Sequence, residues 1–265
     1  MRVSFYTLGC KVNQNETGAL EQLFLRRGYT LAADGEAADV YVVNSCTVTA
    51  GGDKKSRQWL RRAKRQNPGA VTVMAGCYPQ AFPEEAAQLE EADVVVGNVG
   101  RAAMLEDIQK ALDSGERVVD IRAHEKGERF EELPMENFEG HTRAFIKVQD
   151  GCNQFCSYCI IPYARGRVRS RKMEDTLQEV KNLTANGYKE IVLTGIHISS
   201  YGLDFEHTAD EQEDYGPFKN SALIDLIEAL SRIEGLERIR LGSLEPRIIT
   251  ENFVRRLCKV PQICP

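Results

Sequence analysis

Apolar and polar residues follow two distinct patterns in the first part of the chain. Short apolar runs are typical of buried parallel strands. Longer segments repeat apolar residues at helical spacing, as Ala19, Leu20, Leu23 and Phe24 do before Gly28. The sequence predicts strands at residues 3–8, 40–43, 70–75 and 94–96, and helices at 16–27, 53–65 and 101–112. Strands that alternate with helices predict an open parallel sheet of the flavodoxin or Rossmann type.

The second part of the chain repeats a strand–helix pattern. Strands are predicted at residues 143–148, 190–194 and 239–241, and helices at 173–186, 222–233 and 251–258. Repeated βα units predict a (β/α) barrel, and three units are too few to close one. The Glu-rich stretch 122–141 has little periodicity and indicates a solvated connection. We therefore predict an α/β chain with domains at 1–118 and 142–265 and a linker at 119–141.

Composition restricts the class of protein. The chain has 265 residues, of which 42% are hydrophobic and 28% charged, as in ordinary globular proteins. No apolar run is long enough to span a bilayer, and the start of the chain predicts a strand rather than a signal peptide. Eight cysteines without a secretion signal favour a reducing cytoplasm, where cysteines more often bind metals or catalyse reactions. The net charge of −5 does not by itself indicate nucleic-acid binding.

Three cysteines, Cys152, Cys156 and Cys159, lie close together after the first strand of the second domain. Closely spaced thiolates are typical of iron–sulfur ligands, and three of them leave one iron of a four-iron cluster open. Zinc is the alternative, but zinc sites usually have four ligands from paired short spacings. The spacing therefore favours an iron–sulfur cluster with an open position.

Three further cysteines follow predicted strands of the first domain. Cys10, Cys46 and Cys77 each lie just beyond the end of an apolar run. The carboxyl ends of parallel strands share one edge of a sheet, which is where ligands bind. One free cysteine is usually a small buried hydrophobe, but three at equivalent positions favour a second three-thiolate site.

The spacing C-x-x-x-C-x-x-C resembles the signature of the radical S-adenosylmethionine enzymes. The resemblance implies that Cys152, Cys156 and Cys159 hold a [4Fe-4S] cluster whose open iron binds S-adenosylmethionine. In that superfamily an electron from the cluster splits the cofactor into methionine and a 5′-deoxyadenosyl radical.

The segments 7–13, 44–47 and 75–77 resemble the N-terminal domain of the methylthiotransferases. The resemblance implies a second [4Fe-4S] cluster on Cys10, Cys46 and Cys77, which delivers sulfur. The segments at 8–13, 52–57 and 193–197 are most similar to the branch that modifies N6-threonylcarbamoyladenosine in tRNA. Sister branches act on isopentenyl-adenosine in tRNA or on a ribosomal-protein aspartate, and a non-catalytic iron–sulfur or zinc protein is the alternative of another class. Because the family continues beyond three barrel units, we expect the sequence to be a fragment.

The resemblance also implies partners and cofactor contacts. The expected partners are tRNA and an external electron donor, with no membrane and no DNA. Thr194 and Gly195 follow the second predicted barrel strand, where the superfamily has a segment that contacts the methionine amino group of the cofactor. Ser243 and Glu245 follow the third, where a polar residue could meet the cofactor's ribose. His197 more often forms a structural hydrogen bond than acts as a base, and Ser243 could equally be a helix cap.

Two basic segments are candidates for RNA contact. The first follows the cysteine loop and has five cations, namely Arg165, Arg167, Arg169, Arg171 and Lys172. The second is the helix predicted at 53–65, which has Lys and Arg along one face. Phosphates attract such cations, although charge runs are often solvated surfaces. We predict no role for Cys258 or Cys264.

Overall fold

The computed structural model describes residues 1–33, 35–133, 142–205 and 221–264. Residues 134–141 of the predicted linker lie outside the described residues. The chain forms two compact units: Met1–Lys126 with Gln154–Gly166, and Gly127–Asn153 with Arg167–Pro265. The short segment 154–166 therefore belongs to the first unit, although it follows the first strand of the second.

The first unit is built on a six-stranded parallel sheet. Its strands are β1 (Arg2–Thr7), β2 (Thr30–Leu31), β3 (Val40–Ser45), β4 (Val71–Gly76), β5 (Val94–Val96) and β6 (Val118–Asp120). Their order in the sheet is β2-β1-β3-β4-β5-β6, and all neighbours are parallel. Every residue of β3 and β4 is buried, because helices cover both faces of the sheet.

Helices connect these strands. They are α1 (Lys11–Arg26), α2 (Ala50–Gln66), α3 (Cys77–Ala81), α4 (Pro83–Ala87) and α5 (Met104–Ser114), with a 3-10 turn at Arg101–Ala103. Helix α6 (Ile161–Arg165) also belongs to this unit, although it follows the first strand of the second unit. The alternation of side chains along a strand gives each face its own core. Val42 and Val73 pack in the cluster that contains α1 and α5, whereas Val43 and Met74 pack in the cluster that contains α2.

The predicted open parallel sheet is confirmed, with differences at its elements. Helix α1 begins at Lys11 rather than at residue 16, because its first turns bury polar residues such as Asn13 and Asn15, which hide the periodicity. The short elements β2, α3, α4 and β6 were not predicted. Residues 119 and 120 belong to β6 rather than to a linker, since only two valines mark this edge strand.

The second unit contains a smaller open sheet. Its strands are β7 (Ala144–Asp150), β8 (Arg169–Ser170), β9 (Glu190–Gly195) and β10 (Arg238–Leu241), in the order β10-β9-β7-β8. Strands β7, β9 and β10 are parallel, and β8 pairs with β7 in the antiparallel sense. The helices are α7 (Met173–Ala185), α8 (Ala222–Leu230) and α9 (Glu251–Leu257), with 3-10 turns at Ile198–Ser200 and Pro246–Ile248. The predicted incomplete barrel is confirmed, because these βα units form an open sheet.

No helix among the described residues combines the length and the apolar character that crossing a membrane requires.

We predict that Ile108→Ala selectively destabilises the first unit. Ile108 of α5 is fully buried, and removing such a side chain costs about 2–5 kcal/mol in the free energy of unfolding. The single tryptophan, Trp59, lies in the first unit and stacks on Tyr6, so its fluorescence during urea unfolding reports on this unit. Val119→Ala is the control, because Val119 is 45% exposed and should change the free energy by less than about 0.5 kcal/mol. Equal midpoints for both variants would contradict the assigned core.

Candidate metal centre

Three cysteines meet at one edge of the first sheet. Cys10 lies three residues after β1, Cys46 directly follows β3, and Cys77 directly follows β4 as the first residue of α3. Strands β1, β3 and β4 are adjacent and parallel. Topology therefore gathers at one edge three thiols that are far apart in the sequence.

Glycine brings the first two cysteine loops into close contact. Gly9 has a φ of +104°, and a Cβ added there would lie 2.8 Å from Cys46 Sγ. Such a distance is too short for a real side chain, and the positive φ is itself unfavourable for residues with a Cβ. The loop before Cys10 can therefore pack against Cys46 only because residue 9 has no side chain.

Hydrogen bonds fix the backbone of all three loops. The Asn13 amide donates to Leu8 O at 2.8 Å and to Ser45 O at 2.9 Å, which joins the first loop to the second. Ser45 Oγ donates to Ala75 O at 2.5 Å and accepts from Tyr78 N at 3.0 Å, which joins the second to the third. The thiols are therefore held by a rigid, cross-linked edge.

The three thiols have different environments. Cys10 is exposed, Cys46 is half-buried and Cys77 is buried. Burial raises the pKa of the Cys46 thiol, and the neighbouring Cys77 and Cys10 raise it further, whereas a backbone hydrogen bond from Val48 and the Arg165 guanidinium lower it. Thiolates that lie close together repel one another, so a bound metal cluster would favour their deprotonated form.

A buried ion pair lies beside the cysteine edge. Arg165 is 0% exposed and Glu16 is 1% exposed. The guanidinium of Arg165 donates from Nη1 to Glu16 Oε1 at 2.5 Å and from Nη2 to Glu16 Oε2 at 3.0 Å, a bidentate arrangement. Arg101 Nη2 lies 3.2 Å from the same carboxylate, and Arg165 also donates to Asn13. Glu16 is thus compensated by two guanidinium groups.

Asn98 extends this network to the third cysteine. Its side-chain amide nitrogen lies 3.5 Å from Cys77 Sγ and donates to Ala164 O at 2.7 Å. Its side-chain oxygen accepts from Arg101 Nη2 at 2.6 Å. Residues 164 and 165, at the end of α6, are therefore anchored beside both Cys10 and Cys77.

The anchored segment contains two cysteines of the C-x-x-x-C-x-x-C triplet. Cys156 and Cys159 lie within residues 154–166 of the first unit, and Cys159 N donates to Cys156 O at 2.9 Å in a tight turn. Phe155, next to Cys156, has a φ of +46°, which is unfavourable for a residue with a side chain. The first unit thus has five of the six predicted ligands.

Cys152 belongs to the second unit and follows the end of β7. A buried set of polar contacts shapes the chain before it: Asp150 Oδ1 accepts from Gly151 N at 2.8 Å, and Asp150 Oδ2 pairs with Lys147 Nζ at 2.6 Å. Gln149 Nε2 donates to the carbonyls of Asp150 and Gly151, each at 2.7 Å. The loop that carries Cys152 is therefore fixed at the C-terminal end of its strand.

The donor set of the first unit fits an iron–sulfur cluster. All of its cysteines are free thiols, and a side chain at residue 9 would crowd Cys46 Sγ. Within the described ranges, no group of three or more His, Cys, Asp or Glu side chains could hold a single metal ion. Thiolates of a cluster bind different irons and so lie farther apart than the ligands of one ion. That Cys10, Cys46 and Cys77 hold one cluster, and Cys152, Cys156 and Cys159 the other, stays a prediction.

The residues predicted to contact S-adenosylmethionine lie at strand ends of the second unit. Thr194 and Gly195 end β9, and a Cβ at Gly195 would lie 2.9 Å from Gln149 Oε1. Gln149 Oε1 in turn accepts from His197 N at 2.7 Å. Gly195 therefore allows a close approach of β7 and β9, and a cofactor role for Thr194 and Gly195 stays a prediction.

Glu245 and His197 are joined, whereas Ser243 is exposed. His197 Nε2 lies 3.0 Å from Glu245 Oε2, and its Nδ1 lies 2.5 Å from Ser200 Oγ. The Arg247 guanidinium hydrogen-bonds the Glu245 carboxyl and holds its pKa below the usual range, and His197 acts in the same direction. His197 is thus a structural hydrogen-bonding residue, as expected; cofactor roles for Ser243 and Glu245 stay predictions.

Arg165, Arg169 and Arg171 are buried, so the structure gives no support to their predicted contact with RNA, which stays untested. Each is no more than 6% exposed, because each neutralises buried carboxylates. Arg169 pairs with Glu128 at 3.4 Å and with Asp150 at 3.6 Å, and Arg171 pairs with Glu132 at 2.9 Å and with Glu179. Glu128 and Glu132 belong to the acidic stretch that was interpreted as solvated, and they instead bind these arginines. Arg167 and Lys172 are exposed, so their RNA contact stays a prediction.

Sequence reasoning missed four polar residues of the site, namely Asn13, Glu16, Asn98 and Arg101. A signal for two of them was present, since Asn13 and Glu16 share a helical face with the apolar Ala19, Leu20 and Phe24. Polar residues on a buried face need partners, which is a reason to suspect a site. The partners themselves come from distant parts of the chain.

Comparisons with known proteins agree with this geometry. Residues 2–97 match the uncharacterized protein family UPF0004, and residues 146–261 match the radical SAM superfamily. "Threonylcarbamoyladenosine tRNA methylthiotransferase MtaB" of Aquifex aeolicus is 41% identical over 100% of this chain and 61% of its own length. The relative of the same name from Bacillus subtilis is 43% identical over 98% of this chain and 55% of its own length.

Other relatives carry a different name. The "tRNA-2-methylthio-N(6)-dimethylallyladenosine synthase" of Clostridium novyi is 31% identical over 97% of this chain and 55% of its own length. Among solved structures, the radical S-adenosylmethionine methyltransferase TsrM of Kitasatospora setae, with tryptophan and a SAM analogue bound, gives a TM-score of 0.62. It is 15% identical and covers 99% of this chain and 57% of its own, so this likeness shows the fold alone.

The chain thus combines an N-terminal segment that matches UPF0004 with a later segment that matches the radical SAM superfamily. The chain is 41% and 43% identical to the two MtaB-named relatives, and 31% identical to the dimethylallyladenosine synthase of Clostridium novyi. It spans 61% and 55% of the length of the two MtaB-named relatives described above.

We predict that Gly9→Ala prevents assembly of a cluster at the first cysteine edge. The new Cβ would lie against Cys46 Sγ, so iron after anaerobic reconstitution should fall by about four per chain. Gly28→Ala is the matched control, because Gly28 also has a positive φ, +83°, but nothing lies within 4 Å of the new Cβ. Equal iron content in both variants would show that a side chain beside Cys46 does not prevent cluster assembly.

We predict that Arg165→Ala releases the segment 154–166 from the cysteine edge. Breaking one side of a buried ion pair typically costs about 3–5 kcal/mol. Hydrogen exchange of peptides from this segment, measured on the metal-free chain by mass spectrometry, should accelerate strongly. Arg165→Lys keeps the charge but not the bidentate contact, so it should restore only part of the protection.

Arg167→Ala is the control, because it removes an exposed arginine two residues away. Unchanged exchange in Arg165→Ala would mean that the segment is held by other contacts.

Proposed function

We propose that this protein methylthiolates N6-threonylcarbamoyladenosine beside the anticodon of tRNA. The observation that carries the proposal is the cysteine edge of the first unit, on which a segment with Cys156 and Cys159 is anchored by Arg165. The similarity to MtaB-named relatives supports the substrate. We place the reaction in a reducing cytoplasm, with electrons from an external donor.

The chemistry of this reaction exceeds what side chains can perform. When bound, the two [4Fe-4S] clusters and S-adenosylmethionine supply the radical that abstracts hydrogen from an unreactive adenine carbon, the inserted sulfur and the methyl group. The protein contributes binding, positioning and shielding.

The residues of the first unit have distinct tasks in this proposal. Cys10, which is exposed, leaves the edge accessible to a substrate base, while Cys77 is covered by the protein. Burial raises the pKa of the Cys46 thiol, and the Arg165 guanidinium opposes this rise only in part. Asn98 places its amide nitrogen 3.5 Å from Cys77 Sγ, where a hydrogen bond can stabilise sulfur-centred negative charge.

A second candidate substrate is dimethylallyladenosine in tRNA. Relatives with that name are 30–32% identical to this chain. The higher identity to the MtaB-named relatives favours threonylcarbamoyladenosine. A ribosomal-protein aspartate is the substrate of the third branch, and a non-catalytic metal protein would show none of these activities.

We expect about eight irons per chain after anaerobic reconstitution, falling to about four when Cys10, Cys46 and Cys77 are changed to Ala. The control is Cys258→Ala with Cys264→Ala, which removes two free thiols that the proposal does not use and should leave iron and sulfide unchanged. About four irons in both the wild type and the triple variant would reduce the first edge to a structural role. Zinc in place of iron would discard the proposal.

Substrate choice has its own test. Full-length protein with reductant and S-adenosylmethionine should form 2-methylthio product on tRNA that carries threonylcarbamoyladenosine. Product on tRNA that carries dimethylallyladenosine, and none on the first, would select the second candidate. Product on ribosomal protein in the absence of tRNA would select the third.

A further inference from the structure

Helix α2 concentrates positive charge on a chain of negative net charge. Between Ala50 and Gln66 it has one acid, Asp53, and seven cations, namely Lys54, Lys55, Arg57, Arg61, Arg62, Lys64 and Arg65. The whole chain has a net charge of −5. Ser56, Leu60 and Ala63 face the sheet and are buried, so the cations occupy the opposite face.

Only some of these cations form ion pairs or hydrogen bonds within the protein. Arg61 pairs with Glu91, Lys64 pairs with Asp93 at 2.6 Å, and Arg57 lies 3.3 Å from the Tyr78 hydroxyl. The four remaining cations are exposed, namely Lys54, Lys55, Arg62 and Arg65. No described carboxylate lies within ion-pair distance of them.

This pattern does not stabilise the helix. Lys54, Arg57, Arg61 and Arg65 follow one another at spacings of three and four residues, and like charges at these spacings each cost about 0.2–0.5 kcal/mol. Lys64 and Arg65 in the last turn complement the helix dipole, but Lys54 and Lys55 lie beyond the first turn and gain nothing from it. A solvated helix would gain by mixing charges, so the pattern indicates an anionic partner.

The basic face begins at the candidate metal centre. Gly52, in the first turn of α2, packs so closely on the Cys46 loop that a Cβ would lie 2.6 Å from Cys46 O. Arg57 reaches Tyr78, the residue after Cys77. From there the helix runs for roughly 25 Å, at 1.5 Å per residue. An anion held on α2 would therefore extend away from the cysteine edge itself.

An open groove of about 1430 Å³ accompanies this face. Helix α2 forms one wall, and residues 88–91 form the other, including the exposed Glu90. Trp59 in the groove already stacks on Tyr6 at 5.0 Å, so the groove offers charge rather than a free aromatic ring. Such a surface suits a phosphate backbone better than an exposed base.

The chemistry of the face favours nucleic acid over protein. Protein interfaces usually have an apolar centre and few lysines. Among described residues, no large hydrophobic side chain of α2 is exposed. Phosphate contacts need only a row of exposed cations, which this helix provides.

We infer that the outer face of α2 binds the phosphate backbone of the RNA substrate and so orients the target nucleotide toward the cysteine edge. This inference rests on the proposed tRNA substrate and adds the surface that holds it. Lys54, Lys55, Arg62 and Arg65 make the phosphate contacts.

The test is the salt dependence of tRNA binding. Full-length protein and a fluorescent tRNA transcript are titrated at several salt concentrations, with wild type and the variant K54Q/K55Q/R62Q/R65Q. Each lost phosphate contact should lower the slope of log K against log salt by about 0.7–0.9, so the variant slope should fall by roughly 3. Affinity near 0.1 M salt should fall at least about tenfold, while cleavage of S-adenosylmethionine without tRNA stays unchanged.

The matched control is K126Q/K181Q/R232Q/K259Q. It removes the same charge from four exposed positions away from α2 and should leave the slope close to that of wild type. Bound tRNA should also protect Lys54 and Lys55, but not Lys181, from acetylation. Equal losses in both variants would show general attraction only and overturn the inference.

The remaining outcomes are equally decisive. A wild-type slope in the α2 variant, with tight tRNA binding, would overturn this inference and leave the proposed function standing. Loss of polyglutamate binding without loss of tRNA binding would assign the face to an acidic protein instead. A wild type that binds no tRNA would overturn both the inference and the proposed tRNA substrate.

Discussion

The buried carboxylate of Glu16 constrains the whole first unit. A charge at 1% exposure is stable only when it is paired and hydrogen-bonded, and Glu16 receives two guanidinium groups. One of them, Arg165, lies 149 residues away in sequence. The requirement to neutralise Glu16 therefore draws the segment that contains Cys156 and Cys159 onto the sheet that carries Cys10, Cys46 and Cys77. Ion pairing thus holds this segment in place, whereas apolar packing holds the other elements of the unit.

The parallel sheet supplies the other half of this arrangement. Strands that run in the same direction end at the same edge, so cysteines separated by dozens of residues converge without any local signal. Gly9 then permits a contact that a side chain would block, and Asn13 and Ser45 fix the spacing of the loops. The site is rigid because its backbone groups, and not only its thiols, are held by hydrogen bonds.

Both units have buried arginines, so a basic residue in the sequence does not always contribute to the positive charge of the surface. Arg165 in the first unit, and Arg169 and Arg171 in the second, neutralise buried carboxylates. The basic face of α2 keeps its cations in solvent, because its buried positions are Ser56, Leu60 and Ala63. A run of basic residues therefore forms buried ion pairs after the cysteine loop, but an exposed cationic surface on α2.

The sequence by itself determined the α/β class, the bounds of most strands to within two or three residues, the spacing of the six cysteines and the family resemblance. These features are local or periodic: apolar runs for buried strands, helical spacing for helices, and short cysteine spacings. Only the tertiary structure decided that Arg165, Arg169 and Arg171 are buried, that Asn13, Glu16, Asn98 and Arg101 surround the cysteines, and that residues 154–166 pack with the first unit. The physical reason is that an ion pair depends on which groups meet in space, and nothing near Glu16 in the sequence reveals that Arg165 neutralises it.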